Sequence, residues 1–226
     1  MHALETRRVR GVVFDLWNTL AYDPHQPNPI VALADAFALR GDPGWPRILE
    51  RAIMRRRIPG IDEAITVLSE VTHRLPDPAQ AQALRTNWNR AGERARWFPD
   101  VEETLRRLSG RFRLGLLSNT QSFGLEFMDR LLPAFDARLF SYELGALKPG
   151  RAIFSRMARM LRLAPGELLM VGDNLRDDVL GAEKAGWQAV LIRRRTAPLS
   201  FHELDRGRAP LASLLELVDL LADARA

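Results

Sequence analysis

Short apolar runs and amphipathic stretches alternate along most of this chain. Arg10 to Phe14 (RGVVF) is a compact run of β-branched and aromatic residues that ends on Asp15, the form of a buried strand meeting a loop. The same kind of run returns at Leu114 (LGLLSN), at Leu168 to Gly172 (LLMVG) and at Ala189 to Ile192 (AVLI), and a further strand is predicted at Arg138 to Tyr142. Between them the apolar positions take up helical spacing, over Val101 to Ser109, Ser122 to Leu132, Arg151 to Leu163 and Asp177 to Ala185. Apolar strands separated by helices predict an α/β fold, a parallel sheet covered on both faces. A last helix, Leu211 to Ala222, carries Leu214, Leu217, Val218 and Leu221 on one side, a stripe that predicts core packing.

The alternation breaks between the first strand and Leu114. Helical rhythm alone runs through Ile30 to Arg40, Pro46 to Arg57, Ile61 to Leu75 and Ala79 to Trp97; in the third of these Ile61, Ile65, Leu68, Val71 and Leu75 share one face. Pro24, Pro27 and Pro29 open this stretch and Pro99 closes it. At about 70 residues it is too long for a loop. The pattern therefore predicts a helical insert, residues 23–97, set into an α/β core made of 1–22 and 98–226. The expected hinges are Pro24 to Pro29 and Arg96 to Pro99.

Composition narrows the chemistry. With 226 residues, 46% of them hydrophobic, the chain can bury a sizeable core. No apolar run approaches the roughly 18 residues of a membrane span, and the start lacks a signal peptide's apolar stretch, so a cytoplasmic protein with no membrane partner is expected. The absence of cysteine excludes disulfides, thiolate metal sites and thiol catalysis. The formal charge of +5 is spread along the chain, +1 over residues 1–20, +2 over 21–97 and +2 beyond. The triplets Arg55 to Arg57 and Arg193 to Arg195 lack interleaved aromatics, so no nucleic-acid partner is expected. His2, His25, His73 and His202 fall outside every candidate motif. Only two of 33 basic residues are lysines, Lys148 and Lys184.

Ligands of an open parallel sheet bind at the carboxyl ends of its strands. The residues standing there are Asp15, Trp17, Asn18 and Thr19 after the first strand, Ser118, Asn119 and Thr120 after the second, Lys148 before a helix, and Asp173, Asn174, Asp177 and Asp178 after a third strand. Singly, each has a local explanation, as a strand terminator, a helix cap, a surface lysine or a first-turn acid. Together, carboxylates, hydroxyls and one compact cation form a set that can hold a divalent cation and a phosphate. A chain that writes its positive charge as arginine has placed one of its two lysines here, where a point charge suits better than a planar fork.

Four segments in this order resemble the motifs of the haloacid dehalogenase superfamily: VVFDLWNTL, LLSNT, GALKPG and MVGDNLRDDVLGAEKAGW, spanning residues 12 to 187. The resemblance implies a Rossmann-like doubly wound core, an inserted helical cap of the C1 type, Mg²⁺ as cofactor, and attack by Asp15 on phosphorus or carbon. It further implies that Thr19 supports the nucleophile loop and that Ser118, with the Asn119 backbone, holds a phosphoryl oxygen. Lys148 neutralises charge, and Asp15, Asp173, the Trp17 carbonyl and, more distantly, Asp178 hold the metal. Asp177 is the alternative second acid. The expected partner is a small phosphorylated molecule, and the expected state a monomer or homodimer.

Trp17 departs from the pattern. Phosphatases of the superfamily usually carry an Asp there as general acid and base, and an indole can serve as neither. L-2-haloacid dehalogenases place an aromatic residue at this position, but they work without metal and usually lack an acid at the position of Asp173. Trp17 also fits a packing role beneath the cap. A complete metal and phosphate set with one proton shuttle missing implies a Mg-dependent phosphatase restricted to good leaving groups. The alternatives are a 2-haloacid dehalogenase and a catalytically weak binding protein on the same fold.

Overall fold

The computed structural model describes residues 4–24, 28–129, 132–194 and 209–222. Strand β1 (Gly11–Phe14) is followed by a two-residue strand β2 (Ala21–Tyr22), by helices α1 (Pro29–Ala36), α2 (Trp45–Ile53), α3 (Ile61–Thr72) and α4 (Pro78–Arg94), and by a second short strand β3 (Arg96–Trp97). Then come α5 (Val101–Leu108), β4 (Arg113–Ser118), β5 (Ala137–Phe140), α6 (Ser141–Leu144), α7 (Arg151–Leu161), β6 (Leu168–Gly172), α8 (Gly181–Lys184), β7 (Gln188–Leu191) and α9 (Leu214–Leu220).

Five strands form one parallel sheet in the order β5-β4-β1-β6-β7. Because successive side chains point to opposite faces, the apolar runs serve two cores at once. Val12, Phe14, Leu169 and Val171 pack with the apolar sides of α5 and α9. Val13, Leu168 and Met170 pack with Ile153, Phe154, Met157 and Leu161 of α7. The expected stripe on the last helix, Leu214, Leu217, Val218 and Leu221, lies in the first of these cores. The chain leaves β1 outward to β4 and β5, then returns to lay β6 and β7 on the other side. Strand order thus reverses between β1 and β6, and that reversal opens a crevice at their carboxyl ends.

Helices α1 to α4 bury an apolar cluster of their own, with Leu33, Leu49, Ile53, Leu68, Leu84 and Trp88 among its members. Phe123 and Leu147, from loops of the sheet layer, pack against this cluster. At the base of the insert β2 and β3 pair antiparallel, Ala21 opposite Trp97, so the two chain crossings are tied to each other.

Three expectations fail locally. The helix expected over Ser122 to Leu132 is reduced to a single 3₁₀ turn, Glu126–Met128, and residues 130–131 lie outside those described. Contacts with the insert account for this: the Ser122 hydroxyl bonds both the amide and the carbonyl of Ile58 at 2.7 Å, Phe123 packs on Trp88, and Gly124 takes a left-handed conformation at φ 71°. The stripe expected on α3 also turns out of register. Ile61, Ala64, Val67 and Leu68 are buried while Val71 and Leu75 are 54% and 82% exposed, because the helix stops in a left-handed turn at His73 and the chain bends away. Finally, the fourth insert helix ends at Arg94, since Arg96 and Trp97 are taken up by pairing with β2.

Candidate active site

The crevice between β1 and β6 is where the chemistry-bearing residues meet. Asp15 leaves β1 with its amide on the Val171 carbonyl at 2.9 Å, which holds its carboxylate at the strand end, and Asp173 directly follows β6. Asp178 reaches the same place from a π-helical turn, Leu175–Leu180, whose first amides, on Arg176 and Asp177, donate to the Asn174 side chain at 3.0 Å. A wide turn of this kind is frequent at functional sites. Gly172 is required beside it: a Cβ there would lie 2.2 Å from Asp178 Oδ2 and 2.6 Å from its Cβ.

Lys148 is 2% exposed and spends all three of its donors. Its Nζ donates to Asp15 Oδ1 and Asp178 Oδ1, both at 2.6 Å, and to the Leu117 carbonyl at 3.0 Å. A guanidinium could not occupy that three-way junction, which explains a lysine in an arginine-using chain. Asn119 grips the Lys148 backbone at both ends, its Nδ2 donating to the carbonyl at 3.1 Å and its Oδ1 accepting from the amide at 2.8 Å. Asn119 therefore acts through its side chain as a positioner, where the sequence pointed to its backbone or to a helix cap.

Asp15, Asp173 and Asp178 each bring a carboxylate oxygen within 4.8 Å of the others. Three buried carboxylates face one lysine, and the electrostatics follow. Burial first, then the neighbouring Asp15 and Asp178, push the Asp173 carboxyl well above its ordinary value. Burial likewise pushes Asp178 up to about 7, against the pull of Lys148. Burial opposes the charge on Lys148 too, but Asp15 and Asp178 outweigh it and leave the ammonium more basic than usual. The site is short of positive charge, and an all-oxygen donor set of this kind suits Mg²⁺. Ser118 Oγ is buried at the end of β4 with no partner among the described residues.

Thr19 is placed differently from expectation. The Thr19 hydroxyl is buried without a partner among the described residues, and the loop is held instead through its carbonyl, which accepts from Arg194 Nη2 at 2.8 Å and Nε at 3.1 Å. Arg194 also pairs with Asp100 at 2.7 Å and stacks over Phe98 at 4.3 Å, joining the loop after β1 to the chain returning from the insert. Trp17 packs against the sheet-side core and lines the cavity that faces the insert. Its Nε1 donates to Thr120 Oγ1 at 3.1 Å and its ring lies 5.4 Å from Phe127. Asp177 points away from the carboxylate cluster: its Oδ1 pairs with Arg47 of α2, which also holds Glu50, and its Oδ2 accepts from Asn174 at 3.2 Å. Asp178 is thus the second acid of the cluster. Burial, then the charge of Asp177, push Glu50 up to about 7 despite Arg47 and Arg176.

Sequence reasoning missed Arg47, Glu50 and Arg194. Neither arginine differs in local pattern from its neighbours, and only their tertiary partners mark them. The same holds for the first triplet, where Arg55 donates to the Gly145 carbonyl at 2.9 Å and Arg57 lies 5.2 Å over Tyr142, docking the insert on the sheet layer. Arg195, His2, His25 and His202 lie outside the described residues, and His73 is exposed.

Above the carboxylates a cavity of about 190 Å³ runs between the sheet layer and the insert, walled by Ile30, Trp45, Met54 and Trp88 and by the Glu50 carboxylate. Among the described residues no helix is long and apolar enough to cross a membrane.

The profile of the haloacid dehalogenase-like hydrolases matches residues 9–186. A ribulose-1,5-bisphosphate 5-phosphatase of Halopiger xanaduensis is 31% identical over 94% of this chain and 99% of its own. A glyceraldehyde 3-phosphate phosphatase of Methanopyrus kandleri is 36% identical over 43% of either chain, so this chain spans less than half of that relative. Among solved structures, a phosphatase of Thermococcus onnurineus superposes with a TM-score of 0.62 at 24% identity, over 96% of this chain and 100% of its own. A 2-haloacid dehalogenase of Pseudomonas syringae superposes with a TM-score of 0.60, also at 24%, over 95% and 98%. The fold is thus shared by proteins named for both chemistries.

Proposed function

This chain belongs to the haloacid dehalogenase-like hydrolases, and from that premise we propose that it is a Mg-dependent phosphatase acting on a small phosphorylated compound through an aspartyl phosphate, best on substrates with good leaving groups. The observation that carries the reading is the cluster itself: three carboxylates within 4.8 Å of one another, facing a single buried lysine.

In this reading Lys148 holds Asp15 Oδ1, which leaves Oδ2 to attack phosphorus. The phosphorus–oxygen bond to the leaving group breaks as the Asp15–phosphorus bond forms, and the leaving group departs with the electron pair. Ser118 donates to a phosphoryl oxygen, whose charge it meets without a competing partner. Asp15, Asp173 and the Trp17 carbonyl would hold Mg²⁺, with Asp178 behind them because Lys148 and the Asn174 amide occupy both its oxygens. When bound, the ion supplies charge neutralisation between nucleophile and phosphoryl group.

Trp17 then sets the preference. A positioned acid or base is typically worth about 10² to 10⁴ in rate, and an indole already donating to Thr120 supplies neither. Leaving groups stable as anions, acyl or aryl, escape this penalty, while an alkyl alkoxide does not. Water attacking the aspartyl phosphate also lacks a base, so that intermediate builds up. The test is hydrolysis of acetyl phosphate, an aryl phosphate and an alkyl phosphate, each with and without Mg²⁺. Rates falling in that order, all metal-dependent, support the reading, and equal rates on all three would overturn the leaving-group argument.

The aromatic Trp17 also favours a second reading, a 2-haloacid dehalogenase, since a halide leaves without a proton. Asp173, buried beside Asp15, weighs against it. Metal-independent chloride release from 2-chloropropionate would establish the dehalogenase.

A further inference from the structure

The cavity above the carboxylates has an unusual charge balance for a site that grips phosphate. Lys148 is the only cation that lines it among the described residues, and that ammonium is committed to Asp15, Asp178 and the Leu117 carbonyl. Arg47, the insert arginine beside the cavity's Glu50, does not line it, and both its terminal nitrogens are taken by the carboxylates of Glu50 and Asp177. Arg94 is held by Asp23 and Asn87. The wall that would meet a leaving group therefore presents mainly Ile30, Trp45, Met54 and Trp88, with the amides of Asn28 and Gln121 and two acids, Asp23 and Glu50, of which Arg47 occupies Glu50 Oε2.

From this we infer that the substrate is a phosphomonoester or acyl phosphate whose leaving group is small, apolar and uncharged, with no second anionic group. At about 190 Å³ the cavity is smaller than the roughly 300 Å³ at which sites for drug-sized ligands begin. A second phosphate or a carboxylate on the leaving group would be set in a confined space against Glu50, with no uncommitted cation among the described residues that line the cavity, a repulsion that weakens binding in proportion to how far water is excluded. An aromatic or branched aliphatic group buries its surface against Trp45, Met54 and Trp88. This separates the chain from its relative named for ribulose 1,5-bisphosphate, whose named substrate carries two phosphates. The inference rests on the phosphatase reading only for the identity of the phosphoryl end.

The experiment compares three phosphonates on one two-carbon spacer, bearing a phenyl, a carboxylate or a second phosphonate. Binding to the full chain is measured by calorimetry with Mg²⁺, and acetyl phosphate turnover is assayed on the same preparation. Phenethylphosphonate should bind about tenfold or more tightly than either anionic-tailed compound, the order expected for burying a ring against placing an anion beside an acid. At pH 8, above the value near 7 at which Glu50 ionises, Glu50→Gln should narrow that preference by roughly threefold, the effect of one partly screened charge. Equal or tighter binding of the carboxylate or bisphosphonate compound, or binding of none of the three, overturns the inference, whether or not acetyl phosphate is hydrolysed. The expected ranking without acetyl phosphate turnover supports it and removes the phosphatase reading alone.

Discussion

The two walls of the cavity are built on opposite principles. On the sheet side Asp15, Asp173, Asp178 and Lys148 are buried against one another, and hardly a polar atom can be changed without leaving a neighbour uncompensated. On the insert side most of the charge has been turned aside: Arg47 is held between Glu50 and Asp177, Arg55 and Arg57 dock on the sheet layer, and Glu50 faces the cavity among mainly apolar side chains. One wall concentrates unbalanced charge and the other removes it. Chemistry on a phosphoryl group needs the first, and choice among leaving groups needs only the second.

The contrast is most severely challenged by Asp15→Asn. Because the sheet wall acts as a unit, turnover of acetyl phosphate should fall by about 10⁴ or more with the fold retained, measured by steady-state rates beside a thermal melt. A modest fall would mean that the charged wall is not the reacting one. Trp17→Asp sharpens the contrast from the other direction. Supplying the missing acid should raise alkyl phosphate hydrolysis by about 10² to 10⁴ while acetyl phosphate changes far less. A uniform change across leaving groups would show that Trp17 acts only through packing on Phe127 and Thr120.

Gly172→Ala probes how tightly the charged wall is assembled. A Cβ 2.2 Å from Asp178 Oδ2 must displace that carboxylate from Lys148, and Mg²⁺ affinity by calorimetry should weaken by about 10- to 100-fold, the cost usual for disturbing groups behind a metal ligand. The smallest effect belongs to the insert wall. Glu50 ionises near 7 in the folded protein against an ordinary 4.5, so between those values the folded state keeps a proton that the unfolded chain has lost. Its contribution to stability is therefore full below about 4.5 and is lost as pH rises through about 7. Melting temperatures of the protein and of Glu50→Gln across this window should differ in slope, with the variant flatter by a few degrees. Parallel curves would place Glu50 in water rather than against Asp177.

The same division explains what was legible from the residues alone. Strands at Gly11, Arg113 and Leu168 and the polar residues at their ends could be read because a buried parallel strand demands an apolar run, and the residue after it is then exposed to the crevice. Lys148 could be read because it is one of only two lysines among 33 basic residues and stands in order with the strand-end acids. The insert wall could not. Trp45, Met54 and Trp88 satisfy the same helical spacing whether they face a core or a cavity, and an arginine engaged like Arg47 looks in sequence like any exposed one. The helix wrongly expected after Ser122 failed for a related reason: Phe123 gives up local periodicity for a contact with Trp88 on a remote element. Arg194, the third example, holds the Thr19 carbonyl across 175 positions of chain, and no local pattern encodes that.

The central claim is that the charged wall forms a covalent phosphoryl intermediate on Asp15 that water is slow to release. Incubation with radiolabelled acetyl phosphate and Mg²⁺, followed by an acid quench within one turnover, tests it directly. The account predicts label on the protein at a substantial fraction of the sites, labile to base, dependent on Mg²⁺, mapping to the peptide containing Asp15 and abolished by Asp15→Asn. Steady hydrolysis of acetyl phosphate with no trapped label, or label that survives Asp15→Asn, would contradict it.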